Sequence, residues 1–157
     1  MGLINFTNLL NGMSRVIGID YGSKRIGIAV TDPLKIIASG LTTVMIQEVM
    51  LFLTDYLGKE KVEAIVVGEP KNLDNTPAES AAGVEAFIRT LKKKFPSIPI
   101  YRIDERFSSK MAQQTMLDGG LKKKARQNKA TIDMVSAAII LQTYLEMKEK
   151  GAELKPV

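Results

Sequence analysis

The stretch at residues 15–31, RVIGIDYGSKRIGIAVT, decides the fold. Residues 16–19 are an unbroken apolar run apart from Gly18, and Asp20 ends it. Tyr21-Gly22-Ser23-Lys24-Arg25 reads as a turn, and residues 26–30 are a second apolar run. Two runs of strand length about a glycine-containing turn predict a β-hairpin. Neither run alternates with polar residues, so both strands are expected to be covered on two faces, at the centre of a sheet. Gly18 and Gly27 weaken a strand unless another backbone or a ligand must come close. Asp20 then stands at the exit of a central strand, partly desolvated and in need of a partner. The plainer alternative is a turn aspartate bonded to its own loop.

Further along, Asp32-Pro33 signals a turn, and residues 38–44 make a third strand favoured by Thr42, Thr43 and Val44. Residues 47–57 carry apolar side chains at 49, 50, 53, 56 and 57, which is helical spacing, with Gly58 as the stop. A buried strand follows at 62–67, ended by Gly68-Glu69-Pro70, and then a turn-rich loop at 71–76. Pro77 opens a helix to about residue 93, with Ala81, Val84, Phe87, Ile88 and Leu91 facing inward. Residues 97–103 form a strand that delivers Asp104-Glu105-Arg106. Ser108 or Ser109 caps a helix through 117, stopped by Gly119-Gly120. A basic link at 121–130 leads to the last helix, 131–148, and the tail from Gly151 is expected to fray. A hairpin followed by alternating helices and strands predicts an α/β fold, a mixed sheet with helices on both faces. Residues 15–150 are read as one domain, 151–157 as a tail, and 1–14 as an N-terminal extension, with Met13 as an alternative start.

A chain of 157 residues with 45% apolar and 25% charged residues fits one domain with a real core. It has neither cysteine nor histidine. That excludes disulfides, thiolate or imidazole metal sites and a Ser-His-Asp triad. Proton and metal chemistry is left to Asp, Glu, Lys, Tyr and water. A net charge of +5 and a pI near 9.4 point to an anionic partner, nucleic acid first. No stretch approaches transmembrane length, and residues 1–12 lack the basic start of a signal peptide, so a cytoplasmic protein without a membrane partner is expected.

Three acidic places stand out: Asp20 at the first strand's exit, Asp104-Glu105 at the last strand's exit, and Asp133 near the start of the last helix. In open α/β sheets, ligands gather beyond the carboxyl ends of the central strands. Asp133 shares a helical face with Ala137, Ile140 and Tyr144, so it is aimed inward. Carboxylates converging there repel one another, and an oxygen-seeking cation, Mg²⁺ or Mn²⁺, relieves that repulsion. Two such ions about 4 Å apart can activate a water and stabilise the leaving oxygen of a phosphodiester. Each acid also has an ordinary role available, such as complementing a helix dipole or pairing locally in a turn. Glu69 ends a strand as well and is a fourth candidate. The run LKKKARQNK at 121–129 places Lys122, Lys123, Lys124, Arg126 and Lys129 just before Asp133, where they would hold a phosphate backbone. Lys24, Arg25 and Arg106 add positive charge near the same place. Lys92, Lys93 and Lys94 end a helix, which suffices to explain them.

Four stretches together resemble the YqgF/RuvX family of pre-16S rRNA nucleases, also described as Holliday junction resolvases. They are Ile17-Gly18-Ile19-Asp20-Tyr21-Gly22 with Arg25-Ile26-Gly27-Ile28-Ala29; Val67-Gly68-Glu69-Pro70-Lys71-Asn72-Leu73-Asp74; Asp104-Glu105-Arg106-Phe107-Ser108-Ser109; and Ile132-Asp133-Met134-Val135-Ser136-Ala137-Ala138. The resemblance covers residues 15–145. It implies an RNase H-like fold with a five-stranded mixed sheet flanked by helices. It further implies a metal-dependent phosphodiesterase that trims precursor rRNA ends, with the ribosomal particle or branched DNA as partner. It puts Asp20, Glu105 and Asp133 at the acidic site. Glu105 is preferred to Asp104 because strand alternation lets only one of them face inward. Asp20 would bridge two cations, with Glu105 and Asp133 completing one each. Two departures stand out: residues 75–79 lack the glycine usual after the family's Asn-x-Asp, and Glu69 stands where an apolar residue is usual. Junction resolution would require two sites and hence a dimer; no dimer face is legible in the sequence, and a monomer or homodimer is expected. The hairpin is also similar to the first phosphate loop of actin-like ATPases, but those need two such domains. A non-catalytic nucleic-acid-binding assembly factor is the remaining reading, and the basic run alone would support it.

Overall fold

A computed structural model describes residues 13–22, 24–69, 81–104 and 129–157. The hairpin forms as the apolar runs dictate: β1 (Arg15–Tyr21) pairs antiparallel with β2 (Arg25–Thr31), Ile17 opposite Val30 and Asp20 opposite Gly27. β3 (Ala38–Met45) pairs antiparallel with β2. A single 3-10 turn leads into α1 (Val49–Lys59), then come β4 (Val62–Glu69), α2 (Ala81–Lys94), β5 (Ile100–Asp104) and α3 (Lys129–Glu149). β4 runs parallel to β1, and β5 parallel to β4. The strand order β3-β2-β1-β4-β5 gives the five-stranded mixed sheet that the resemblance implies.

The pleat splits the apolar side chains into two cores. Ile17 and Ile19 of β1, Ile26 and Ile28 of β2, and Ile65 and Val67 of β4 face α1 and α2, where Leu53, Val84, Phe87 and Leu91 close the layer. Val16, Ala29, Ala64, Val66 and Ile103 face α3, meeting Ala137, Ile140, Leu141 and Tyr144. The strands facing α3 offer small residues, and α3 answers with close approach. A Cβ on Gly18 would lie 2.7 Å from Leu141 Cβ and 2.9 Å from the Ala137 carbonyl oxygen. β1 and β2 are therefore buried on both faces because a helix layer lies on each.

The Asp32-Pro33 turn is real and is organised by the aspartate. Its carboxylate accepts hydrogen bonds from the backbone N–H groups of Leu34, Ile36 and Ile37 at 3.2, 2.8 and 2.8 Å. Those bonds, that of Ile37 foremost, hold its carboxyl below the usual range.

Several boundaries differ from expectation, three of them for a visible physical reason. α1 continues through Gly58 to Lys59, because nothing crowds an exposed last turn and Glu60 still donates to the Tyr56 carbonyl. β5 begins at Ile100 instead of 97, since residues 95–98 are spent on a turn closed by Ile98 N–H to the Phe95 carbonyl. The C-terminal tail is docked, not frayed. Gly151, at φ +80°, ends α3, with Ala152 N–H on the Met147 carbonyl and Gly151 N–H on that of Lys148. Leu154 then packs on the α3-side core, and Val157 N–H reaches the Ile100 carbonyl at 2.8 Å. The expected loop at 71–76, the start of the helix at Pro77, the helix at 108–117 with its Gly119-Gly120 stop, most of the basic link, and residues 1–12 lie outside the described residues. None of the described helices is long and apolar enough to cross a membrane.

Tyr144 is 2% exposed, with its ring centroid 5.3 Å from that of Tyr101. Burial first, then the nearby Tyr101 and Glu63, push its hydroxyl up to about 12. Because the fold favours the neutral phenol, this contribution is complete below the unfolded-state value near 10 and is lost as pH climbs from 10 to 12. Denaturant midpoints at pH 9 and 11 should therefore fall more steeply for the wild type than for Tyr144→Phe.

Candidate active site

Asp20 comes from the end of β1. It is one-in-two along the strand with Val16 and Gly18, which face α3, so the pleat puts Asp20 on the α3 side of the sheet. Its cross-strand partner is Gly27. Asp133 arrives on α3, and its backbone rests on that same glycine: a Cβ on Gly27 would lie 2.0 Å from the Asp133 carbonyl oxygen and 3.0 Å from its Cβ. Thr43 Oγ1 donates to the Ala130 carbonyl at 2.7 Å, which ties the start of α3 to β3. Two of the three acids expected at the site are thus brought to one end and one face of the sheet, on either side of a glycine that only a bare backbone could occupy.

Arg25 opens β2 two residues before Gly27 and so shares its face. Its Nε donates to Asp133 Oδ2 at 3.1 Å, with side-chain exposures of 36% and 24%. From sequence alone Arg25 reads as a phosphate-binding residue, with no sign of its pairing with Asp133. The parity of residues 25, 27 and 29 carried the signal, because whatever helix lies on Gly27 must also meet Arg25. Lys24 is exposed beside it, and Lys129 opens α3.

The last strand bears on the choice between Asp104 and Glu105. Ile103 belongs to the α3-side core, while Arg102 reaches Glu85 on α2 at 2.6 Å. Alternation therefore turns Asp104 to the α1/α2 side, away from the face of Asp20. Glu69 ends β4 opposite Asp104. Glu105, Arg106, Lys122, Lys123, Lys124 and Arg126 lie outside the described residues. Among the described residues, no group of three or more acidic side chains is placed to hold a metal ion.

The chain matches the RuvX family, described as Holliday junction resolvase, over residues 14–147. A relative from Christiangramia forsetii, named as a candidate pre-16S rRNA nuclease, is 57% identical over 133 residues, covering 85% of this chain and 98% of its own. One of the same name from Bacteroides thetaiotaomicron is 55% identical over 136 residues, covering 87% and 99%. Among solved structures, Thermus thermophilus RuvC bound to a Holliday junction substrate superposes with a TM-score of 0.56 at 17% identity, over 92% of this chain and 99% of that one. That likeness establishes the RNase H-like fold. The four stretches that first suggested a family, the sheet order 3-2-1-4-5 and more than half of all aligned residues agree: the chain belongs to the RuvX family.

Proposed function

We propose that this chain is a divalent-cation-dependent nuclease that hydrolyses phosphodiester bonds and processes the 5′ end of the 16S rRNA precursor in the cytoplasm. The observation that carries this reading is that Asp20 is the cross-strand partner of Gly27 and the backbone of Asp133 rests on that same glycine, in a chain without histidine or cysteine. Family membership and the names of the relatives support it.

The donor set fits a hard cation. Asp20 and Asp133 offer only oxygen, and Asp133 already requires a positive partner, which Arg25 supplies. Asp20, Glu105 and Asp133 would hold Mg²⁺ or Mn²⁺. The turn of Asp104 away from the site supports Glu105, the next position, as the third ligand. When bound, the cation activates water and offsets the charge that builds on the phosphate oxygens. Lys24, Arg106, Lys122, Lys123, Lys124, Arg126 and Lys129 would hold the nucleic-acid backbone by charge. One nuclease domain over residues 15–150 carries these parts.

Resolution of branched DNA is the second reading, favoured by the family's description. The two are separated by incubating the purified protein with 5′-extended 16S precursor RNA, single-stranded RNA and a four-way DNA junction, in Mg²⁺, Mn²⁺ or EDTA. Cation-dependent cleavage of the precursor RNA is expected. Preferential, symmetric nicking of the junction would replace the first reading with the second. Binding without cleavage in either cation would leave a non-catalytic assembly factor.

A further inference from the structure

Resting on that reading of Asp133 as a cation ligand, we infer that Arg25 is a nucleic-acid-binding residue that exchanges partners. Without a cation its guanidinium holds the Asp133 carboxylate. When Asp133 takes up a divalent cation, the guanidinium is released to a phosphate of the nucleic acid. The two side chains are 108 residues apart in sequence and are joined only because Gly27 lets α3 settle on β2. The contact runs through Nε, one of five donors on a group whose fork matches phosphate oxygens. With 36% and 24% of the side chains exposed, the pair is solvent-screened and weak enough to give way. A dication on the same carboxylate repels the guanidinium, and a phosphate is the nearest kind of anion that such a site would receive. Cation and nucleic acid therefore bind with positive coupling, each raising the affinity for the other by the same factor.

The test is Mn²⁺ binding without nucleic acid, by calorimetry or by the loss of the free-ion paramagnetic signal. Arg25→Gln should bind Mn²⁺ about two- to fivefold more tightly than the wild type, the range that loss of a weak competing ion pair allows. Arg25→Lys, which keeps the charge, should bind like the wild type. In an Asp133→Asn background the difference between Arg25 and Gln should vanish. In Ca²⁺, precursor-RNA binding by Arg25→Gln should be weaker, with a salt slope shallower by about one. Unchanged or weaker Mn²⁺ binding by Arg25→Gln, in a variant whose urea midpoint shows it folded, overturns the exchange and leaves the nuclease reading standing. Absence of Mn²⁺ binding by both wild type and Arg25→Gln overturns the cation-dependent reading and the exchange with it.

Discussion

Asp20→Asn is expected to lower cation-dependent cleavage by more than about 100-fold while leaving the denaturation midpoint near that of the wild type. Loss of an outer partner of a metal ligand already costs about 10- to 100-fold, and Asp20 is proposed as a ligand itself. Asparagine keeps an acceptor oxygen where the Asp20 side chain makes its contacts. Asp20 is only half-buried at the end of β1, asparagine has nearly its volume, and the ladder to Gly27 is made by backbone. Asp133→Asn is a less clean probe, because it also removes the charge that Arg25 faces at 3.1 Å. The measurement is single-turnover cleavage of the precursor RNA with both variants, alongside urea unfolding. Activity of Asp20→Asn within tenfold of the wild type would remove Asp20 from the catalytic centre. Equal binding of RNA by wild type and variant in EDTA would confine the loss to chemistry.

The sequence was legible where one physical rule dominated. The unbroken apolar runs around Asp20 dictated a doubly covered hairpin, and the two helix layers over Ile17 and Val16 are its consequence. The 3.6-residue spacing of Val84, Phe87, Ile88 and Leu91 fixed the inner face of α2. Gly18 and Gly27 predict close approach of another backbone, and α3 is what approaches. Less legible was whatever depended on a long-range contact. The tail from Gly151 has the composition of a fraying end, yet Val157 is fixed by an Ile100 carbonyl on a strand edge that no local pattern announces. Arg25 looked like one more basic residue, because its partner is decided by where α3 lands. The choice between Asp104 and Glu105 depends on parity, and parity depends on where β5 starts. The prolines at 96 and 99 and the turn between them move that start.

Gly27→Ala is expected to cost about 3 kcal/mol or more, the upper end of overpacking penalties, and to lower the melting temperature by about 10 °C. Most small-to-large changes are softened because a flexible side chain moves aside. Here the new methyl would meet backbone: the Asp133 carbonyl oxygen at 2.0 Å and its carbon at 2.4 Å. Relief requires lifting the N-terminal half of α3 off β2, against the Thr43 bond to Ala130 and the packing of Ala137 and Leu141 on β1. Because the same movement carries Asp133 away from Asp20, cleavage should fall further than the loss of folded protein explains. It should not return when low temperature or an osmolyte restores the fold. Gly58→Ala is the matched control. It lies in helix α1 with nothing within 4 Å of the added methyl, so it should raise stability by roughly 0.5–1 kcal/mol and leave cleavage unchanged. Urea unfolding and cleavage rates of the two variants, measured side by side, decide the matter. A Gly27→Ala protein within 1 kcal/mol of the wild type would mean that the contact with Asp133 is not what seats α3. A destabilised protein with full activity per folded molecule would mean that Asp133 does not need its place beside Asp20.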